Sequence, residues 1–170
     1  MAEFRPIKLF EAPILTELRK KMWETTYRGI YPDSMIDNYD TELHLIKDTH
    51  DLGDKGKRFF FVVQDGEIVG YFCFGTPSYA PYKDYSLCLN ALYLLPTARG
   101  KGIGRQIMGY VRSMCRDMGE SGFYNACNNA CNVHNKPALR FYERMGGVLT
   151  HTDDGHENPS QDQCYFEHKL

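Results

Sequence analysis

Segment 99–104 reads Arg99-Gly100-Lys101-Gly102-Ile103-Gly104 and runs directly into an amphipathic helical pattern. Residue types in that order can seat an anion. The first turn of a helix leaves backbone N–H groups without intrahelical acceptors, and those groups stand at the positive end of the helix macrodipole. A phosphate placed there meets several donors at once. Gly100, Gly102 and Gly104 carry no Cβ, so a bulky pyrophosphate can approach the amides, and Arg99 and Lys101 add positive charge beside it. Spacing excludes two familiar phosphate loops. With Gly100 and Gly102 as the first glycines of a dinucleotide fingerprint, Arg105 stands where the third Gly or Ala is needed. A Walker loop needs Ser or Thr after Gly-Lys, and here Gly102 follows Lys101.

What remains is an Arg-x-x-Gly-x-Gly turn preceded by Leu92-Tyr93-Leu94-Leu95-Pro96. A second pattern, Asn-x-x-Ala-x-x-Phe-Tyr-x-x-x-Gly, begins at Asn135 and runs through Ala138, Phe141 and Tyr142 to Gly146. A third segment, 23–32, reads Trp-Glu-Thr-Thr-Tyr-Arg-Gly-Ile-Tyr-Pro. Together and in this order the three resemble the GNAT superfamily of N-acetyltransferases, the last of them resembling one bacterial branch. The resemblance spans nearly the whole chain and is strongest over residues 87–147.

That resemblance implies an acetyl-coenzyme A co-substrate, no metal, and transfer of the acetyl group to a primary amine of a small molecule, such as a polyamine or amino sugar, or of a peptide. The backbone of Leu92, Tyr93 and Leu94 would pair with the pantetheine arm as another strand, a free N–H there polarising the thioester carbonyl. Arg99, Gly100, Lys101, Gly102, Ile103 and Gly104 would hold the pyrophosphate. Asn135 and Ala138 would contact the cofactor arm, and Asn135, a polar residue just before a helix, can also be its N-cap. Tyr142 would point at the sulfur and protonate the leaving thiolate, since a phenol with its ordinary pKa of ~10 stays protonated at neutral pH. Its other reading is a core aromatic beside Leu139 and Met145.

The acceptor side is read from softer signals. Trp23, Tyr27 and Tyr31 can line the acceptor pocket, although Trp23 and Tyr27 are equally placed to be core contacts. Asp33, Asp37, Asp40, Glu42, Asp48 and Asp51 make their region acidic, which suits a cationic acceptor or an ordinary solvated face. Cys88 and Asn90 occupy the positions where some relatives carry a glutamate base, and neither is a base at neutral pH. No general base is assigned, and the competing reading is a non-catalytic acyl-coenzyme A binding or regulatory module.

Composition narrows the class. A length of 170 residues suits a single domain, 1–170, with one substantial core. A net charge of -2 gives no electrostatic reason to expect nucleic acid. No apolar run approaches a bilayer span and the amino terminus carries no export pattern, so no membrane and a cytoplasmic location are expected. Six cysteines in such a chain read as thiols rather than a disulfide framework. Cys127, Cys131 and His134 have a spacing that brings ligands close, with His151, His156 and Cys164 able to complete a tetrahedral set. Cys127 falls in an expected buried strand and no Cys-x-x-Cys knuckle is present, so packing is the expected role. The oligomeric state is open, homodimers being common among the relatives.

Residues 4–10 have strand-like content. Pro13 opens a helix with Ile14, Leu15, Leu18 and Met22 on one face, closed by Gly29 and Pro32. Asp33 reads as the N-cap of a short second helix, and Leu43, Leu45 and Ile46 suggest a third. Residues 58–64 and 67–76 form a hairpin about Asp65-Gly66, and 85–95 a further strand. From Ile103 the positions Ile107, Val111, Met114, Cys115 and Met118 trace one helical face up to Gly119. Residues 123–128 read as a strand, 137–145 as a helix stopped by Gly146-Gly147, and 148–153 with 164–169 as a last strand pair about the polar loop 154–162. The expected fold is α/β of the α+β kind, the acyl-CoA N-acyltransferase fold. In it a mixed, mostly antiparallel sheet of about seven strands is flanked by helices, with a V-shaped cofactor cleft between the fourth and fifth strands.

Overall fold

The computed structural model describes residues 1–78, 82–83, 85–125 and 132–170. Strand β1 covers only Glu3–Pro6, shorter than the residues 4–10 expected from composition. The Glu11 carboxylate draws the chain round: it receives both Arg5 guanidinium nitrogens at 2.9 Å and the Lys8 N–H at 2.9 Å, making a single 3-10 turn over Leu9–Glu11. The Arg5 guanidinium, above all, holds that carboxyl below its usual range.

Helix α1 (Ala12–Tyr27) buries Leu15, Leu18 and Met22 as its periodicity predicts, whereas Ile14 is exposed. Helix α2 (Asp33–Asp37) takes Pro32 and not Asp33 as its N-cap. Asp33 and Asp37 instead grip Arg28 at 3.1 and 2.7 Å. Helix α3 (Thr41–Gly53) is capped by Asp40, whose carboxylate accepts the Leu43 N–H at 2.9 Å. It packs on α1 through a buried carboxylate: Leu43 and Ile46 face outward, while Asp48 is fully buried against Thr16 Oγ1 at 2.8 Å and Arg19 at 3.0 Å. Burial pushes the Asp48 carboxyl up, and the Arg19 charge and the Thr16 hydroxyl act against that rise.

Strands β2 (Lys57–Gln64) and β3 (Glu67–Gly75) join through Asp65 and Gly66, whose φ values of 54° and 84° make the two-residue turn that follows strand twist. Strand β4 (Cys88–Leu94) begins later than the expected residue 85, and Tyr85 packs beside Tyr124 instead. Helix α4 (Ile103–Asp117) follows, and Met118, just past its end, is exposed rather than on its apolar face. Strand β5 (Gly122–Asn125) precedes the residues outside the description, so the rest of the expected 123–128 strand lies there. Helix α5 (Lys136–Arg144), β6 (Val148–Asp153) and β7 (Gln163–Lys169) complete the chain.

The described strands form one sheet in the order β1-β2-β3-β4-β5-β7-β6, antiparallel except for β4 with β5. One face carries Phe72, Phe74 and Leu89 against Ile107 and Val111 of α4 and Tyr142 of α5. The other carries Phe61, Tyr71 and Ala91 against Leu15 and Met22 of α1. Between β3 and β4 the register slips, with Cys73 opposite Ala91 and Phe74 opposite Leu89. Asn90 is therefore the extra residue of a bulge, and it reverses the alternation so that Leu89 and Ala91 enter different cores. A bulge of this kind also raises local twist, at the point where β4 leaves β5.

His168 of β7 is buried without exposure, stacked on Phe123 and donating from Nε2 to Asn125 Oδ1 at 2.6 Å. Burial, reinforced by Arg112, lowers its pKa from 6.5 to about 4. As pH falls, the unfolded chain takes up this proton first, so stability is lost from about pH 6.5 downward until the folded form titrates near 4. Urea melts should show a loss on the order of 2 kcal/mol between pH 6.5 and 5 from this residue alone. In His168→Gln, which keeps an N–H donor for Asn125, that slope should flatten; an unchanged slope would remove the assignment.

Candidate active site

Strands β4 and β5 share one bridged pair, Cys88 with Tyr124, and no further pair among the described residues. Beyond Leu89 the edge of β4 that faces β5 therefore opens into a cleft of about 660 Å³, with Leu92, Tyr93 and Leu94 along one wall. Its floor at one end is the start of α4. The first helical amide bond there runs from Gln106 N–H to the Gly102 carbonyl at 3.2 Å, so the amides of Ile103, Gly104 and Arg105 precede the ladder.

Two glycines of this turn are required for different reasons. Gly102 is the N-cap of α4 at φ 79°, a left-handed conformation that costs an L-residue energy, and open space lies where its Cβ would be. Gly104 is required by contact, since a Cβ there would stand 2.8 Å from the Phe141 ring. Both line the cleft, as does Gly100.

The remaining turn residues divide. Arg99 lines the cleft, but its Nε donates to the Leu94 carbonyl at 2.9 Å and its Nη2 to Thr26 Oγ1 at 3.1 Å, tying the end of β4 to α1. Burial lowers its pKa from the usual arginine value. Lys101 is exposed and outside the lining. The Ile103 side chain is in the core, so its amide is the group it can offer.

The opposite wall is α5. Asn135 lines the cleft and is also the N-cap, its Oδ1 accepting the Ala138 N–H at 3.3 Å. Ala138 and Tyr142 follow along the same wall. Tyr142 is nearly enclosed, its ring held by Phe141, Phe166 and His168 at centroid distances of 5.1, 5.7 and 6.2 Å. Tyr142 is thus packed as a core aromatic and also lines the cleft. Arg105 and Arg144 add two cations to the lining that motif reading passed over. Their signal in the sequence was a basic residue directly after the first motif and another two residues before the last glycine of the second.

Trp23, Tyr27 and Tyr31 are brought together in an aromatic cluster outside the lining of this cleft. Tyr27 and Tyr31 stack at 4.5 Å and are buried, and Trp23 leans on both. The Tyr27 hydroxyl lies 2.9 Å from that of Tyr93. From the same segment Thr26 and Ile30 are the residues that reach the cleft. A second cleft, of about 510 Å³, lies on the α1–α3 face of the sheet, and it too excludes Trp23, Tyr27 and Tyr31. Tyr93 lines both clefts.

Asn90 lines the second cleft and acts as a clip: Oδ1 accepts the Ser78 N–H at 2.9 Å, and Nδ2 donates to the Thr76 carbonyl at 2.9 Å and the Cys88 carbonyl at 3.3 Å. Cys88 is buried among Tyr124, Tyr82, Tyr85 and Tyr165, outside both linings. Cys127 and Cys131 lie outside the described residues. Their sequence partner His134 meets Asp162 at 2.9 Å, and His156 reaches the other oxygen of the same carboxylate at 2.9 Å. Bonds from the His156 amide and the two imidazoles hold that carboxyl down at about 2. Among the described residues no group of three His, Cys, Asp or Glu could hold a metal ion.

A sheet parted between two parallel strands, with a helix amino terminus facing the gap, is the architecture of an acyl-coenzyme A N-acyltransferase domain. Residues 15–147 match the Acetyltransferase (GNAT) family, and the chain belongs to it. Over 90 residues it is 31% identical to streptothricin acetyltransferase of Streptomyces lavendulae, a stretch covering 53% of this chain and 43%, less than half, of that relative. The PaiA N-acetyltransferase of Thermoplasma acidophilum, solved in complex with coenzyme A, superposes with a TM-score of 0.72 at 19% identity, covering 100% of this chain and 99% of that one. AAC(6')-Iy, solved with a bisubstrate analogue, CoA-S-monomethyl-acetylneamine, gives 0.68 at 17% identity over 93% and 98% of the two chains. At such identities these two structures establish the shared fold. No helix among the described residues is long and apolar enough to cross a membrane.

Proposed function

We propose that the protein transfers the acetyl group of acetyl-coenzyme A to a primary amine of a small molecule or peptide. The observation that carries this is the parting of β4 from β5 directly beside the unladdered amides of α4. The residues present fit the donor. An extended arm needs a strand edge without a neighbour, which the wall at Leu92, Tyr93 and Leu94 offers. A pyrophosphate needs donors free of Cβ crowding, which the amides of residues 103–105 offer behind Gly100 and Gly102. Arg105 and Arg144 add the positive charge that a multiply anionic ligand requires.

Acetyl-coenzyme A supplies a thioester, from which a C–N bond forms as the C–S bond breaks, the acceptor nitrogen losing a proton and the sulfur leaving as a thiol. The β4 edge orients the arm and gives an N–H to the carbonyl oxygen as charge develops on it. Tyr142, a neutral phenol on the facing wall, donates the proton that the departing sulfur takes. Holding both reactants on one strand edge, with the acceptor entering where Tyr93 joins the two clefts, converts an encounter into an oriented transfer.

Release of free thiol from acetyl-coenzyme A, measured across polyamines, amino sugars, amino acids and peptide amines, tests the reading. Amine-dependent thiol release is the expected result. Tight binding of coenzyme A with no release for any amine would leave a binding module in place of an enzyme.

A further inference from the structure

We infer that the acceptor amine also carries a carboxylate and that Arg19 in the second cleft receives it; this rests on the acetyltransferase reading above. The walls of that cleft carry three cations, Arg19, Lys47 and Lys57, against one carboxylate, Asp51. The acidic run of the α2–α3 region, which in sequence suits a cationic substrate, is turned to other uses. Asp33 and Asp37 hold Arg28, and Asp40 caps α3. Asp51 is bound to Lys57 at 3.0 Å, and Asp48 is sealed beneath Arg19 with no exposure. Asp54 also pairs with Lys57, so a polyamine entering here would find these carboxylates already engaged.

Arg19 has the features of a fixed receptor. Asp48 grips one terminal nitrogen at 3.0 Å, and the guanidinium carbon sits 5.3 Å over the Tyr71 ring. The side chain keeps 23% of its surface exposed, and a planar guanidinium held on one side is preorganised for a second carboxylate on its open side. Lys47, on the exposed face of α3, adds charge at the rim. Tyr93 lines this cleft and the donor cleft alike, so a carboxylate seated at Arg19 leaves the amine of the same molecule to approach β4.

The test compares amines that differ only in the anion. Amino acids with the carboxylate one, two or more carbons from the nitrogen are assayed beside their methyl esters, with spermidine and neamine as cationic acceptors. At saturating acetyl-coenzyme A the best free acid should exceed its ester at least tenfold in kcat/KM. Lys47→Glu, a surface change that strands no buried partner, should raise KM for the acid at least fivefold without raising KM for the ester or for acetyl-coenzyme A. Arg19→Gln should erase the preference. Because that change strands Asp48, Arg19→Lys, which keeps the charge and loses the planar fork, is read beside it and should cut the preference severalfold. Esters, spermidine or neamine turned over as well as the acids, or a preference that survives both Arg19 changes in folded protein, overturns the inference while the acetyltransferase stands. Coenzyme A binding with no turnover of any amine overturns the acetyltransferase, and this inference with it.

Discussion

Gly102→Glu should lower the affinity for coenzyme A at least a hundredfold, with the fold intact. The substitution acts twice at one place. Residue 102 is held at φ 79°, where a non-glycine residue is strained by roughly 1–2 kcal/mol, a cost the domain can bear. The side chain meets no neighbour, because nothing lies within 4 Å of the Cβ position. Its carboxylate stands beside the amides of residues 103–105, the place a pyrophosphate would take. A carboxylate at a helix amino terminus favours the helix, so the charge that excludes the ligand does not unfold α4. Gly102→Ala separates the two effects, since it carries the strain without the charge. Titration calorimetry with coenzyme A should give a modest loss for Ala and at least ~2.7 kcal/mol for Glu. Gly104→Glu should also abolish binding, but by a different route, because its Cβ would meet Phe141 on α5 and disturb the opposite wall as well. Wild-type affinity in both variants would take away the main support for a pyrophosphate seat at this turn.

The donor half of the site was legible because it is made of backbone. A glycine turn, a strand before it and a helix after it are local features, so the strand–turn–helix order about segment 99–104 could be read from the sequence, and its proposed donor role came from the family resemblance. The second cleft, proposed for the acceptor, was not legible, because it is built from side chains that meet across long separations. Asp48 looked like one member of an acidic surface and is the buried partner of Arg19, 29 positions away. Trp23, Tyr27 and Tyr31 could be read as pocket walls, Trp23 and Tyr27 equally as core contacts, and Tyr27 and Tyr31 stack on each other in a buried cluster. Boundary differences share a cause. The strand expected through residue 10 ends at Pro6 because the Glu11 carboxylate pulls Arg5 and the Lys8 amide into a turn, a contact that periodicity does not encode. The bulge at Asn90 is equally silent in the sequence, yet it sends Ala91 and Tyr93 to the face packed on α1 and Leu92 to the face packed on α4 and α5.

Tyr142→Phe should lower kcat by a hundredfold or more while KM for acetyl-coenzyme A stays within about threefold, the size of effect expected when one positioned proton donor is removed. Only the hydroxyl is lost. The ring keeps its contacts with Phe141, Phe166 and His168, so the wall of the cleft and the core behind it remain packed. A drop in kcat with KM preserved marks an interaction made in the transition state, and a rise in KM alone would mark a group that only shapes the cleft. The distinction matters because Tyr142 is nearly enclosed and lies in the main core cluster as well as in the cleft lining. Thermal melts of the variant decide whether any loss is structural, since the ring contacts are kept and the folded state should persist at the assay temperature. A leaving thiol of lower pKa needs less help from an acid, so a thioester analogue with an activated leaving group should restore much of the lost rate in Tyr142→Phe. Equal rates for wild type and variant on acetyl-coenzyme A itself would assign Tyr142 to packing and leave the departing sulfur to take its proton from water.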